Sequence, residues 1–356
     1  MKIKTITLHC TDNCGSTLQA MALQKYLVSQ GHDTEIIDYC PSYLQYNGSR
    51  LKTTVKRILF FRKSMNQIRK NKAFGNRYLI TTKEKYKTYN RLKEKLPEAD
   101  LYITGSDQIW NPSYLCGQDP AYYLEFVKDP DKKYSYAASI GKSEIPDDQK
   151  EYIVSKVRDF RSISVREKTS AEFLQERVPC PVDYVCDPVF LLEKSNYETI
   201  LKKPDTNKPY ILVYLVQPSS VLNQLIAELR KKYGAQVILI YGLKKNCDCD
   251  MHILDVAPDE FLGFIAGATY VVASSFHAAA FCHIFQKQFA MVLPKANTAR
   301  ITQLLDVSGL QNRIISENDD IENALKEIDY SEPQKRLQSF IEHSKEVLNE
   351  YCQRNS

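Results

Sequence analysis

His277 is the residue of this sequence best placed to do acid–base chemistry. It follows Thr269–Ala273, a short apolar run rich in β-branched and aromatic residues, which is how a strand buried on both faces reads. Ser274 or Ser275 then offers a helix N-cap, and Phe276 to Gln286 is long enough for about three helical turns. The spacing predicts His277 in the first turn of a helix, just past the C-terminal end of a buried strand. Open α/β sheets bind ligands there. The first backbone N–H groups of such a helix have no partner within it and carry partial positive charge. Ser274, Ser275 and Phe276 therefore frame a corner suited to an anion. The alternative is a polar residue on a surface turn. His283, six residues on, lies about 240° round the helix and reads as a core or partner-facing histidine.

Three other groups carry chemistry. Ser162-Ile-Ser-Val-Arg-Glu167 places Arg166 at a strand end, where its planar fork would match a carboxylate or phosphate, unless a nearby carboxylate such as Glu167 pairs with it. Gly105-Ser-Asp-Gln-Ile-Trp-Asn-Pro112 follows another strand. Ser106, Asp107 and Gln108 supply donors and acceptors, and Trp110, the single Trp, supplies a flat apolar face. Such a mixture suits sugar hydroxyls and sugar faces; the alternative is a capped turn with Trp110 as a core plug. The loop His9-Cys-Thr-Asp-Asn-Cys-Gly-Ser16 closes the first strand, with Asn13 and Gly15 just before a helix. Arg300, at the start of a later helix, is a further anion candidate.

Composition narrows the setting. The chain has 356 residues, enough for two domains, and its hydrophobic and charged fractions are those of a globular protein. No run approaches eighteen apolar residues, and the N-terminus opens on a strand-like segment without an apolar signal core, so a cytoplasmic location is expected. Ten cysteines are scattered with no Cys-x-x-Cys pair; several read as small hydrophobes, and Cys247-Asp-Cys249 reads as a loop. There is no Gly-x-Gly-x-x-Gly and no Walker A pattern, so helix ends and side chains must hold any phosphate. Net charge is +5, yet residues 50–95 alone carry sixteen Lys or Arg against Glu84 and Glu94. That segment is either a solvated face or a surface for an anionic partner such as the inner face of a membrane.

The elements that position these residues alternate strand and helix. Strands are expected at 3–8, 34–38, 100–104, 133–138 and 162–166, with helices at 16–30, 51–72, 84–96 and 148–160. The helix 51–72 is basic and amphipathic, with Leu51, Val55, Ile58, Leu59 and Met65 on one side. Ser195–Pro209 reads as a linker. A second block has strands at 210–216, 236–241, 269–273 and 288–293 and helices at 219–233, 258–267, 276–286 and 298–306. A charged helix at 332–352 follows. The expected domains are 1–204, with the basic insertion 50–95 and the acceptor side; 205–330, with the donor side; and 331–356, a helix returning to the first domain.

Gly-Ser-Asp-Gln-Ile-Trp-Asn, Tyr-Ala-Ala-Ser-Ile-Gly, Ser-Val-Arg-Glu, Cys-Asp-Pro-Val-Phe-Leu-Leu and Ser-Ser-Phe-His occur here in the order and spacing of one family. The chain resembles the polysaccharide pyruvyltransferases over about residues 5 to 315. The resemblance implies an α/β fold of two Rossmann-like domains facing a cleft, similar to GT-B glycosyltransferases. It implies transfer of pyruvate from phosphoenolpyruvate to a sugar as a cyclic ketal. The family's catalytic His matches His277 and its anion-binding Arg matches Arg166. Its opening loop matches Asn13, Gly15, Leu18 and Gln19. Ala278 stands where the family often has Gly.

This chemistry needs two anion sites and a proton donor. His277 is the first candidate catalyst and Asp107 the second, as base or hydroxyl-orienting acceptor. Arg166, Ser274, Ser275, Phe276 and Arg300 are expected at the donor, and Asn13, Gly15, Ser106, Gln108 and Trp110 at the acceptor, which is a candidate lipid-linked oligosaccharide of a surface or capsular polysaccharide. No metal and no cofactor are expected, phosphoenolpyruvate being a co-substrate, and no nucleic acid. The alternatives are a GT-B-like glycosyltransferase using a nucleotide sugar, and a carbohydrate-binding protein that keeps only the Asp107–Trp110 loop.

Overall fold

The computed structural model describes residues 1–45, 54–142, 145–214, 221–241, 247–293, 298–316 and 321–353; at 45 and 54–64 it describes the backbone alone. The expected strand residues 215–216, helix residues 219–220 and basic-helix residues 51–53 lie outside it, as do the side chains of Val55, Ile58, Leu59, Phe60 and Phe61. Contacts divide the chain into two compact units. The first comprises Met1–Arg50, Lys72–Leu192 and Ser339–Ser356; the second comprises Leu51–Asn71 and Glu193–Gln338.

The first unit holds a seven-stranded parallel sheet of order β3-β2-β1-β4-β5-β6-β7. Its strands are β1 (Lys2–Ile6), β2 (Asp33–Tyr39), β3 (Thr81–Tyr86), β4 (Leu101–Thr104), β5 (Lys133–Ala138), β6 (Ser162–Val165) and β7 (Val182–Tyr184). The second unit holds a six-stranded parallel sheet of order β10-β9-β8-β11-β12-β13. These are β8 (Tyr210–Tyr214), β9 (Gln236–Ile240), β10 (Met251–Ile253), β11 (Tyr270–Ala273), β12 (Phe289–Val292) and β13 (Ile314–Ile315). Counted from its own first strand, each sheet runs 3-2-1-4-5-6, the doubly wound Rossmann order, and the first adds a seventh strand at its edge. In that order the strands reverse direction of winding between β1 and β4 in one sheet and between β8 and β11 in the other.

Every residue of the central strands β4, β5, β6 and β11 is buried. Helices on both faces account for this, and for why these strands read as apolar runs. The short edge strands β3, β7, β10 and β13 were not expected. In β3 only Thr82 and Tyr86 turn inward, and lysines between them hide the strand in the basic segment. The helix expected at 84–96 is consequently only Tyr89–Glu94.

The division of the chain also differs from the expected one. The second unit begins at Glu193 rather than at 205, and Leu51–Asn71 groups with it. The cause is visible on the helix Thr54–Tyr78. Gln67 Nε2 donates to the Val256 carbonyl at 2.7 Å while its Oε1 accepts from the Val256 N–H at 2.8 Å. Lys70 reaches the Asp255 carbonyl at 2.9 Å and Glu260 at 2.8 Å. In the first unit, the far end of the helix Ser331–Gln353 packs on the sheet. Tyr351 meets Tyr134 with ring centroids 4.7 Å apart, Phe340 meets Tyr184 at 4.7 Å, and Ser344 Oγ accepts from the Cys186 N–H at 2.9 Å.

Candidate functional site

At the switch point of the first sheet the loops after β1 and β4 are stitched together. Asn13 caps the helix Cys14–Ser29, its side chain accepting from the Gly15 N–H at 2.8 Å. From that helix Gln19 donates to Thr7 Oγ1 at 2.9 Å and to the Ser16 carbonyl at 2.8 Å, and accepts from the Ser106 N–H at 3.3 Å. Thr7 Oγ1 donates in turn to the Ser106 carbonyl at 2.9 Å. Gly105 is required here: its φ is +117°, and a Cβ would run into the Tyr136 carbonyl oxygen. Asp107 follows with φ +73°, a left-handed conformation that Asp tolerates better than most residues.

Asp107 is the centre of a buried ionic cluster. Ser16 Oγ donates to its Oδ2, and the Gln108 N–H donates to its Oδ1 at 2.9 Å. Arg166 Nη2 lies 3.4 Å from Oδ1, while Arg166 Nη1 pairs with Asp187 and lies 3.4 Å from Ser106 Oγ. Burial by itself would lower the Arg166 pKa, but Asp187, then Asp107, outweigh it and the net shift is upward. Glu167, the expected alternative partner, turns away. It accepts from Ser139 Oγ, from the Ile140 and Gly141 N–H groups at 3.3 Å each, and from Ser170 Oγ at 3.4 Å, so it fixes the loop after β5.

Two expectations change as a result. The sequence suggests Arg166 as a donor-anion ligand, yet its side chain is 2% exposed and engaged by two carboxylates of the first unit. The sequence suggests Trp110 as a sugar platform, yet it is fully buried. Its indole N–H donates to the Tyr122 carbonyl at 3.0 Å, it stacks on Tyr123 with ring planes 2° apart, and it meets Phe160 edge-on. The residue that sequence reading missed is Asp187. Its Oδ1 caps the turn Pro188–Phe190 by accepting from the Val189 N–H, and its Oδ2 meets Arg166. An Asp-Pro pair signals only a turn, and nothing in the sequence marks its partner. A surface groove of about 620 Å³ lined by Lys142, Asp147, Lys150 and Arg177 contains none of these residues.

In the second unit, His277 lies at the corresponding switch point, off the end of β11. It is the second residue of the helix Phe276–Ile284, after Ser275 at the N-cap, and is buried with 5% exposure. Ser274 is buried beside it, and its N–H donates to the Tyr214 carbonyl at the end of β8. The Phe276 and His277 rings meet edge to face at 5.3 Å, and the Arg300 guanidinium lies 5.7 Å from the Phe276 ring centroid. Ser274, Ser275, Phe276, His277 and Arg300 therefore gather at one helix N-terminus, where oriented N–H groups favour an anion. His283 is a core residue. Its Nδ1 faces the Ala279 carbonyl at 2.8 Å and its Nε2 faces Ser308 Oγ at 2.9 Å; burial pushes its pKa down to about 4.

Known proteins resemble this chain in two ways. Among solved structures, UDP-GlcNAc 2-epimerase from Methanocaldococcus jannaschii superposes with a TM-score of 0.53 at 11% identity, covering 94% of this chain and 95% of that one. UDP-N-acetylglucosamine 2-epimerase from Rickettsia bellii gives 0.50 at 11% identity, with 98% and 95% covered. UGT71G1 of Medicago truncatula, solved with UDP-glucose, gives 0.50 at 13% identity, with 97% and 94% covered. At such identities the likeness establishes the fold alone, a GT-B-type pair of Rossmann-like units. Comparison with curated proteins finds no match. The sequence matches the polysaccharide pyruvyl transferase family over residues 13–295, from the Asn13 cap through the Asp107–Arg166 cluster to the His277 corner. The chain belongs to the polysaccharide pyruvyl transferase family.

Proposed function

We propose that this protein transfers the pyruvyl group of phosphoenolpyruvate to a sugar of a surface or capsular polysaccharide precursor, forming a cyclic ketal. The observation that carries the reading is the family match across residues 13–295, which takes in both His277 and Asp107. Phosphoenolpyruvate has a methylene carbon, a phosphate and a carboxylate. Protonating the methylene makes the neighbouring carbon electrophilic. One sugar hydroxyl then adds to that carbon, phosphate departs, and a second hydroxyl takes its place. The two hydroxyl protons balance the proton given to the methylene and the one carried off on phosphate.

In this reading His277 supplies the methylene proton. The helix start at Ser274–Phe276 and Arg300 hold the two anionic groups. Asp107 orients or deprotonates an acceptor hydroxyl, with Asn13, Gly15, Ser106 and Gln108 in the loops beside it. Arg166 acts through Asp107 as a positioning residue. No cofactor enters the scheme. The same reading has the protein work in the cytoplasm, against the inner face of the membrane through the basic segment 50–95, on a lipid-linked acceptor. A nucleotide-sugar glycosyltransferase is the second reading, favoured only by the fold shared with a protein solved with UDP-glucose. The test supplies each donor with a panel of lipid-linked oligosaccharides. Acceptor-dependent phosphate release, with a product heavier by one pyruvyl ketal, is the expected result; turnover with a nucleotide sugar and none with phosphoenolpyruvate would assign the second reading.

A further inference from the structure

The loop after β1 and the end of β2 bring four metal-ligating side chains together that take no part in the Asp107–Arg166 cluster. His9 and Cys10 follow β1, Asp38 lies in β2, and Cys40 follows it. The ligating atoms of His9, Cys10 and Cys40 all lie within 4.8 Å of one another. His9 Nε2 is 3.3 Å from Asp38 Oδ1, Cys40 Sγ is 3.4 Å from Asp38 Oδ1, and Cys40 Sγ is 3.8 Å from His9 Nε2. A tetrahedral zinc centre with bonds of roughly 2.0–2.3 Å has ligand-to-ligand edges of roughly 3.3–3.8 Å, so these three edges already fit one. The fourth corner is Cys10, whose Cα lies 6.0 Å from that of Cys40. In the structure the two sulfurs are joined as a disulfide, and binding a metal requires them reduced to separate thiols.

The orientation of His9 suits a metal ligand. Its ring is buried, and its Nδ1 faces the Thr7 carbonyl at 3.3 Å. In the tautomer that donates from Nδ1 to this carbonyl, the Nε2 lone pair is directed at Asp38 and Cys40. This is the outer arrangement that metal-bound histidines use. Cys10 and Cys40 are only partly buried, so an ion can enter. Lys85, 3.6 Å from Asp38 Oδ2, offsets the surplus negative charge of two thiolates and a carboxylate around a divalent ion.

We propose that, with both thiols reduced, His9, Cys10, Asp38 and Cys40 bind one divalent cation of the zinc class. Binding displaces two thiol protons to solvent and changes no oxidation state. The ion ties the loop that leads into Asn13 and Gly15 to the end of β2.

The test uses the full chain, reduced and freed of metal under inert gas, with cobalt(II) as probe and zinc(II) as competitor. One cobalt per chain is expected, with a thiolate-to-metal charge-transfer band and tetrahedral ligand-field absorption, both lost on adding zinc. Cys10→Ser and Cys40→Ser should each abolish or halve the thiolate band, Asp38→Asn should weaken binding at least about tenfold, and Cys247→Ser should change nothing. Independently of any variant, zinc should protect Cys10 and Cys40 of the unaltered chain from alkylation, read by peptide mass spectrometry. No cobalt bound by the reduced chain, a thiolate band that survives in the Cys10→Ser/Cys40→Ser double variant, or equal alkylation with and without zinc would each overturn the proposal.

Discussion

Arg166 sits in a protein interior with two carboxylates on its guanidinium, an arrangement that can hold a loop in place but leaves little for an incoming anion. Removing one member of such a group strands the others without a counter-charge. Arg166→Met should therefore cost about 3–5 kcal/mol of stability in urea denaturation. A variant of unchanged stability that lost donor binding would return Arg166 to the donor site. His283 gives a second test at this scale, through pH. Its folded pKa of about 4 lies below the ordinary 6.5, so the unfolded chain takes up the proton first. The stability tied to neutral His283 is complete above about pH 6.5 and is lost as pH falls towards 4. The total is about 3 kcal/mol, at up to about 1.4 kcal/mol per pH unit. Denaturation midpoints measured across that window should slope in the wild type and flatten in His283→Gln. Equal slopes in both would assign the loss to other groups.

The basic helix Thr54–Tyr78 is fixed to the second unit by Gln67, which satisfies both backbone groups of Val256. Gln67→Ala removes the side-chain acceptor of that N–H, while the carbonyl keeps the Tyr241 hydroxyl at 3.0 Å, and should cost about 1–3 kcal/mol, with faster amide exchange at Val256. Unchanged exchange there would mean that the helix is held by other contacts. Elements of this kind differ in how far the sequence discloses them. Tyr270–Ala273, Leu101–Thr104 and Lys133–Ala138 are apolar runs bounded by turn residues, and each forms a strand within a residue of its expected limits. β3, β10 and β13 are short edges with one face open, so their patterns carry lysine, histidine or too few residues to show a period. At the sites, His277 in a first helical turn was legible because the strand, cap and helix signals are adjacent in sequence. Trp110 was not, since an aromatic after a strand reads the same whether it lies over a sugar or under Tyr123. Asp187 and the His9–Cys10–Asp38–Cys40 cluster were missed for one reason: their partners are distant in sequence and meet only when parallel strands pair.

For the whole molecule, the charge of residues 50–95 and the family chemistry are the properties to test. In the described residues part of that charge is met internally, Lys70 by Glu260, Lys85 by Asp38, and Arg91 and Lys95 by Glu84. If the remainder meets a membrane, binding to anionic vesicles should fall as salt rises, because charges are screened beyond about 10 Å at 0.1 M. Salt-insensitive binding would make the segment an ordinary solvated face. In the proposed reaction a proton passes from His277 to the donor's methylene carbon. The most direct measurement is turnover of phosphoenolpyruvate and acceptor in D₂O, with the product's methyl group examined by mass spectrometry and NMR. One deuterium per transferred pyruvyl group is the predicted result. A His277→Gln variant should keep its fold and lose turnover by about 10²–10⁴-fold, the usual worth of a general acid. A methyl-free product, a product without deuterium, or a His277→Gln variant as fast as the wild type would contradict it.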